Sequence, residues 1–215
     1  MIFNDIDGII FDLDGTFIDS MNVWHEVDIE FFKRRNMEIP ADYKDIIKKM
    51  PFDASAKFTK EEYNIAESVE EIIKEWHDLS IDAYKNHVKL KDGAEHFVKE
   101  CKKHGIKIGY ATASEDSLCE TVLRANNVRQ FFDEKTYVNE VSCDKSEPDV
   151  YLLCAQKLGV KPERCLVCED ILFGIQSAKR AGFITCGMYD DASAKDWDII
   201  KQTADYSIKS FEELL

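Results

Sequence analysis

The chain has 215 residues, 45% of them apolar and 33% charged, with only four prolines and nine glycines. This composition excludes a disordered chain and suits one α/β core with a small insertion. Acidic residues outnumber basic ones 42 to 28, a formal net charge of -14, which repels polyanions and excludes a nucleic-acid partner from the expectation.

No apolar run approaches the ~18 residues a membrane span needs, and the N-terminus shows no basic region followed by an apolar stretch. No membrane partner is expected, and the expected compartment is the cytoplasm. Seven cysteines (101, 119, 143, 154, 165, 168 and 186) are scattered in odd number, which suits reduced thiols better than a disulfide framework. Cys165 and Cys168 form a C-x-x-C within an apolar strand, where residues three apart face opposite sides, so they read as buried thiols.

In chain order, the first apolar run is Gly8-Ile9-Ile10-Phe11, predicted to be a strand buried on both faces. From about Ser20 to Lys89 the pattern turns helical: Val23, Trp24, Val27 and Phe31, then Ile72, Ile73, Trp76, Leu79 and Ile81, with no strand between them. This segment reads as a helical insertion after the first strand. In a parallel α/β sheet it would stand above the carboxyl ends of the strands, as a cap. Short hinges are expected near Phe17 to Ser20 and Leu90 to Gly93.

Beyond it, Phe97, Val98 and Cys101 precede Gly105 as a crossover helix, and Ile106 to Ala111 is the next buried strand. Leu118, Val122 and Leu123 recur at helical spacing after an N-cap expected at Ser114. Pro148 opens a further helix that Gly159 closes, Cys165 to Cys168 is a strand, a helix from Ile175 to Ala181 ends at Gly182, and Phe183 to Cys186 is a strand. The predicted architecture is a Rossmann-like parallel sheet, residues 1–19 and 90–215, with a helical cap at 20–89.

The first strand runs into Asp12-Leu13-Asp14-Gly15-Thr16. Residues i and i+2 of an extended backbone face the same side, so two carboxylates are held close and need a cation or a proton between them. Magnesium, a hard ion that prefers oxygen ligands, answers that need. Gly15 allows a tight turn and Thr16 offers a hydroxyl. The earlier Asp5-Ile6-Asp7-Gly8 imitates the pattern, but few residues precede it and Ile9 stands where Thr16 stands in the second copy. Alone, Asp12 and Asp14 read equally well as turn chemistry at a solvated strand end.

Three later features shift the balance. Thr112 ends a strand just before a helix whose free amides can hold a phosphate. Lys145 stands just before a helix start, where a cation can bridge a nucleophile and a phosphoryl group. Glu169 and Asp170 place adjacent carboxylates at another strand end. Each by itself is a common cap or surface residue. Together and in order, from Gly8 to Gly182, the four resemble the four motifs of the haloacid dehalogenase superfamily. The match is with its capped subgroup, which includes beta-phosphoglucomutase and many sugar-phosphate and nucleotide phosphatases.

That resemblance implies a phosphatase of small phosphomonoesters with Asp12 as nucleophile and Asp14 as general acid and base. Thr16, Thr112, Lys145 and neighbouring backbone amides would stabilise the phosphoryl oxygens, and Ser114 would be a further substrate-binding residue. Magnesium would be held by the Asp12 carboxylate, the Asp14 main-chain carbonyl and Asp170, with Glu169 as a direct or water-mediated partner. Dehalogenases lack the second aspartate, so Asp14 points to phosphoryl chemistry. The alternative is a phosphomutase; its Gly-x-x-Arg cap element has no arginine counterpart between Lys48 and Asp53, and Glu115 stands where it carries a lysine. A catalytically silent binding protein is the alternative of another class. Trp24 is either a substrate-stacking group or, as its spacing favours, part of an apolar face with Val27 and Phe31.

Overall fold

A computed structural model describes residues 2–47, 50 and 52–215. Two compact units are present, one of residues 1–21 and 89–215 and one of residues 22–88. Lys48, Lys49 and Pro51, part of the stretch without an arginine, lie outside the described residues.

The first unit carries strands β1 (Gly8–Phe11), β2 (Ile18–Asp19), β3 (Lys89–Leu90), β4 (Lys107–Thr112), β5 (Glu134–Tyr137), β6 (Cys165–Glu169), β7 (Ile184–Met188) and β8 (Tyr206–Ile208). Six of them form one sheet in the order β5-β4-β1-β6-β7-β8, every neighbouring pair parallel. β2 and β3 make a separate antiparallel ladder, Ile18 opposite Leu90. The central strands β1 and β6 are buried at every residue, as both-face coverage demands. The edge strands β5 and β8 bury only Thr136 and Ile208, which is why neither stands out as an apolar run.

The second unit holds helices α1 (Val23–Arg34), α2 (Tyr43–Ile47), α3 (Phe52–Glu62) and α4 (Val69–Asn86). α4 starts at a capping box in which Ser68 Oγ accepts from Glu71 N–H and the Glu71 side chain accepts from Ser68 N–H. α1 buries Val23, Val27, Phe31 and Phe32, and Phe31 meets Trp76 edge-on at 5.6 Å. Trp24 does not share that face: it is 42% exposed, because one position past Val23 is a turn of about 100° around the helix. The packing expected for it is corrected accordingly.

The remaining helices of the first unit are α5 (Ala94–Lys103), α6 (Asp116–Ala125), α7 (Asp149–Leu158), α8 (Leu172–Arg180) and α9 (Trp197–Thr203). α7 ends at Gly159 in the left-handed region, φ 66°, the helix stop that its glycine signalled. One apolar cluster joins Ile10, Ala111 and Val167 of the sheet to Val150, Tyr151 and Cys154 of α7. No helix among the described residues is long and apolar enough to cross a membrane.

Candidate active site

β1 lies between β4 and β6, and the chain winds outward from it first toward β5 and later toward β8. The carboxyl ends of β4, β1 and β6 therefore border the switch point, where crossover connections diverge and leave a crevice. Asp12 follows β1 there, with its backbone N–H donating to the Cys168 carbonyl at 2.9 Å. Glu169 ends β6, Asp170 follows it, and Thr112 ends β4. The imitation of this motif sits at the other end of the same strand, where exposed Asp7 accepts from Arg164 Nε at 2.6 Å and Nη2 at 2.8 Å.

Lys145, 133 residues from Asp12 in sequence, donates to Asp12 Oδ1 and, at 2.6 Å, to Glu169 Oε1. All three are buried. Burial pulls the Lys145 ammonium down, but Asp12 and Glu169 outweigh it and hold the group charged, above the usual lysine range. Asp12, Glu169 and Asp170 bring carboxylate oxygens within 4.8 Å of one another. Burial, and then the Glu169 charge, push the Asp170 carboxyl up to about 7, against the hydrogen bond from Thr16. Burial likewise raises the Asp12 carboxyl, with Lys145 opposing and its acidic neighbours adding to the rise.

Three buried carboxylates thus face one ammonium, and negative charge is left over. A set of hard oxygen donors with surplus negative charge fits a magnesium ion, so the residues present suit the metal that the sequence led us to expect.

Asp14 is held at both oxygens: Oδ1 accepts from Ser20 Oγ and Oδ2 from Ser114 Oγ, each at 2.5 Å. Ser114 is therefore not the N-cap of α6. Its hydroxyl is turned to Asp14 and its N–H to Thr112 Oγ1 at 3.0 Å, and Glu115 takes the cap position. The Thr16 hydroxyl, expected against a phosphoryl oxygen, donates to Asp170 Oδ1 at 3.0 Å. Gly15 has φ 82°, and a Cβ there would lie 2.8 Å from Asp170 Oδ2, so the turn and the carboxylate both require glycine.

Asp12, Asp14, Thr16, Thr112, Ser114, Lys145, Glu169 and Asp170 all belong to the first unit, while Trp24 lies on α1 of the second. Sequence reasoning did not single out Ser20 as a partner of Asp14, nor Tyr151, Gly174 and Ser177, which pack behind Glu169 and Lys145. Tyr151 left one signal: a hydroxyl on the apolar face of a helix needs a buried partner. The expected thiols are as read, since Cys165 and Cys168 are buried and all seven cysteines are free.

Known proteins resemble the chain along most of its length. It is 28% identical to hexitol phosphatase B of Escherichia coli over 175 residues, 80% of this chain and 78% of that protein. It is 25% identical to the phosphorylated carbohydrates phosphatase of Thermotoga maritima over 177 residues, 82% of each. The structure of CbbY from Rhodobacter sphaeroides in complex with phosphate shares the fold with a TM-score of 0.75 and 23% identity, over 97% of this chain and 96% of that one. The family described as haloacid dehalogenase-like hydrolase matches residues 9–188, and with that match over most of its length the chain belongs to this family.

Proposed function

We propose that the protein is a magnesium-dependent phosphatase that hydrolyses small phosphomonoesters, sugar or polyol phosphates first among them, with the helical unit serving as its cap. One observation carries the reading: the Lys145 ammonium bridges Asp12 and Glu169 at the edge of a buried carboxylate cluster. Such a lysine neutralises part of the charge of a phosphoryl dianion as it approaches a carboxylate nucleophile. The names of the relatives, both phosphatases of sugar-type phosphates, support the substrate class.

In this proposal an Asp12 carboxylate oxygen attacks phosphorus, the bond from phosphorus to the leaving oxygen breaks, and Asp14 gives that oxygen its proton. Asp14 then takes a proton from the water that attacks the aspartyl-phosphate, releasing phosphate and restoring Asp12. Lys145 and Thr112 border the phosphoryl oxygens, and Ser20 and Ser114 aim Asp14. Asp12, Asp170 and the Asp14 main-chain carbonyl would hold magnesium, with Glu169 beside them. When bound, the ion supplies charge neutralisation and orientation of the phosphate.

Hydrolysis is favoured over mutase chemistry by Glu115, at the N-cap of α6 next to Ser114, since an acid there repels a second phosphate. The test is phosphate release from a panel of phosphomonoesters and sugar bisphosphates, with and without magnesium, for wild type and Asp12→Asn. Magnesium-dependent release that is lost in the variant supports the reading. Isomerisation of a sugar phosphate only when bisphosphate is added moves the assignment to a mutase, and silence in both assays supports a binding protein.

A further inference from the structure

We propose that Tyr151 is a positioning residue for phosphoryl transfer, acting on Lys145 through Glu169. The inference rests on the roles of Asp12 and Lys145 set out above. Tyr151 is on α7 and fully buried. Its hydroxyl donates to Glu169 Oε1 at 2.6 Å, and the same oxygen accepts from Lys145 Nζ at 2.6 Å. Oε1 therefore has two donors, one of them charged, and Glu169 cannot rotate without losing both.

The surroundings close tightly on this arrangement. A Cβ on Gly174 would lie 2.9 Å from Glu169 Cδ and 2.9 Å from Tyr151 Oη, so the backbone of α8 closes directly over the pair. The Lys145 ammonium stands 5.9 Å from the centre of the Tyr151 ring. At its other end, the Lys145 carbonyl accepts from buried Ser177 Oγ at 2.6 Å. The lysine is held by its main chain and by its ammonium.

Fixing Glu169 matters because the other partner of Lys145 changes during the reaction. When Asp12 bonds to phosphorus, its carboxylate charge is lost and its contact with the ammonium weakens. Glu169 is then the remaining protein anchor of Lys145, and the Tyr151 hydroxyl keeps that anchor in place beside the transferred phosphoryl group. A phenylalanine would fill the same space without this hold.

The test compares wild type, Tyr151→Phe, Lys145→Ala and the double variant. Tyr151→Phe is expected to lower kcat about tenfold with KM changed by less than about threefold, while in the Lys145→Ala background it changes kcat by less than about twofold. An unchanged kcat in a folded Tyr151→Phe, or the same factor in both backgrounds, overturns the proposal. The second readout needs no turnover: the side-chain ammonium resonance of Lys145 in 15N-lysine-labelled protein, identified by its loss in Lys145→Ala. Tyr151→Phe should shift it or broaden it by exchange with water, and an unaltered resonance overturns the proposal. A wild type without activity on any ester, whose Lys145 resonance still responds to Tyr151→Phe, defeats the phosphatase reading and supports the placement of Lys145 by Tyr151.

Discussion

Asp14 Oδ2 accepts a hydrogen bond from Ser114 Oγ across 100 residues of sequence, at 2.5 Å. With Ser20 on the other oxygen, the carboxylate has a single orientation before any substrate arrives. Ser114→Ala should lower kcat by about three- to tenfold, with KM little changed, because proton transfer depends on how the acid is aimed. The double variant with Ser20→Ala should lose more than either single change, and steady-state kinetics of the three proteins check this.

Asp12→Asn should reduce phosphate release by about a thousandfold or more, as expected when a nucleophile is removed. The substitution takes one charge out of a buried cluster that holds an excess of negative charge, so the fold should survive it. Thermal melting within a few degrees of wild type and the loss of turnover are the joint expectation. Near-normal phosphate release from a well-folded variant would sink the nucleophile assignment.

Magnesium should raise the melting temperature, because an ion that binds only the folded state stabilises it by mass action. At a hundredfold excess over Kd the gain is about 2.7 kcal/mol, or roughly 5–10 °C for a chain of this size. Asp170→Asn should lose most of that shift, although asparagine can still accept from Thr16. Scanning calorimetry across a magnesium titration reads both, and an equal shift in the two proteins would contradict the role given to Asp170.

Far from the site, Asp205 ties α8 and β7 together: it accepts from Lys179 Nζ at 2.9 Å, Thr185 N–H at 2.9 Å and Thr185 Oγ1 at 2.8 Å. Burial pushes its carboxyl up, but the donors from Lys179 and Thr185 win and hold it below the usual range. Its stabilising contribution is present above the unfolded pKa of about 3.9 and is lost as pH falls through the lower folded value. With its side chain 39% exposed, solvent screening keeps that contribution near about 1 kcal/mol. Asp205→Asn should be less stable than wild type by this amount at pH 7, and denaturant midpoints should converge as pH drops below about 4.

The strands that were legible share one property: they are buried on both faces. β1, β6 and most of β4 and β7 show as apolar runs because both sides of the sheet are covered. Edge strands β5 and β8 are half exposed, so their sequences, Glu134-Lys-Thr-Tyr137 and Tyr206-Ser-Ile208, carry no such signal. The packing reading of Trp24 failed for a related reason: helical periodicity gives the apolar stripe only to within a residue, and of the neighbours Val23 and Trp24 only Val23 is buried.

The sequence by itself determined which chemical groups end which strands, since a carboxylate after an apolar run is a local fact. It carried the chain to its family through three such strand ends and a lysine ahead of a helix, in a fixed order. Only the tertiary structure decided what those groups touch: that Lys145 reaches Asp12 and Glu169, that Ser20 and Ser114 share Asp14, that Thr16 serves Asp170, and that Tyr151 stands behind Glu169. These pairs are mostly separated by tens of residues and are brought together by the strand order of the sheet. Hydrogen bonding is directional and short-ranged, so no pattern of neighbours along the chain can specify them.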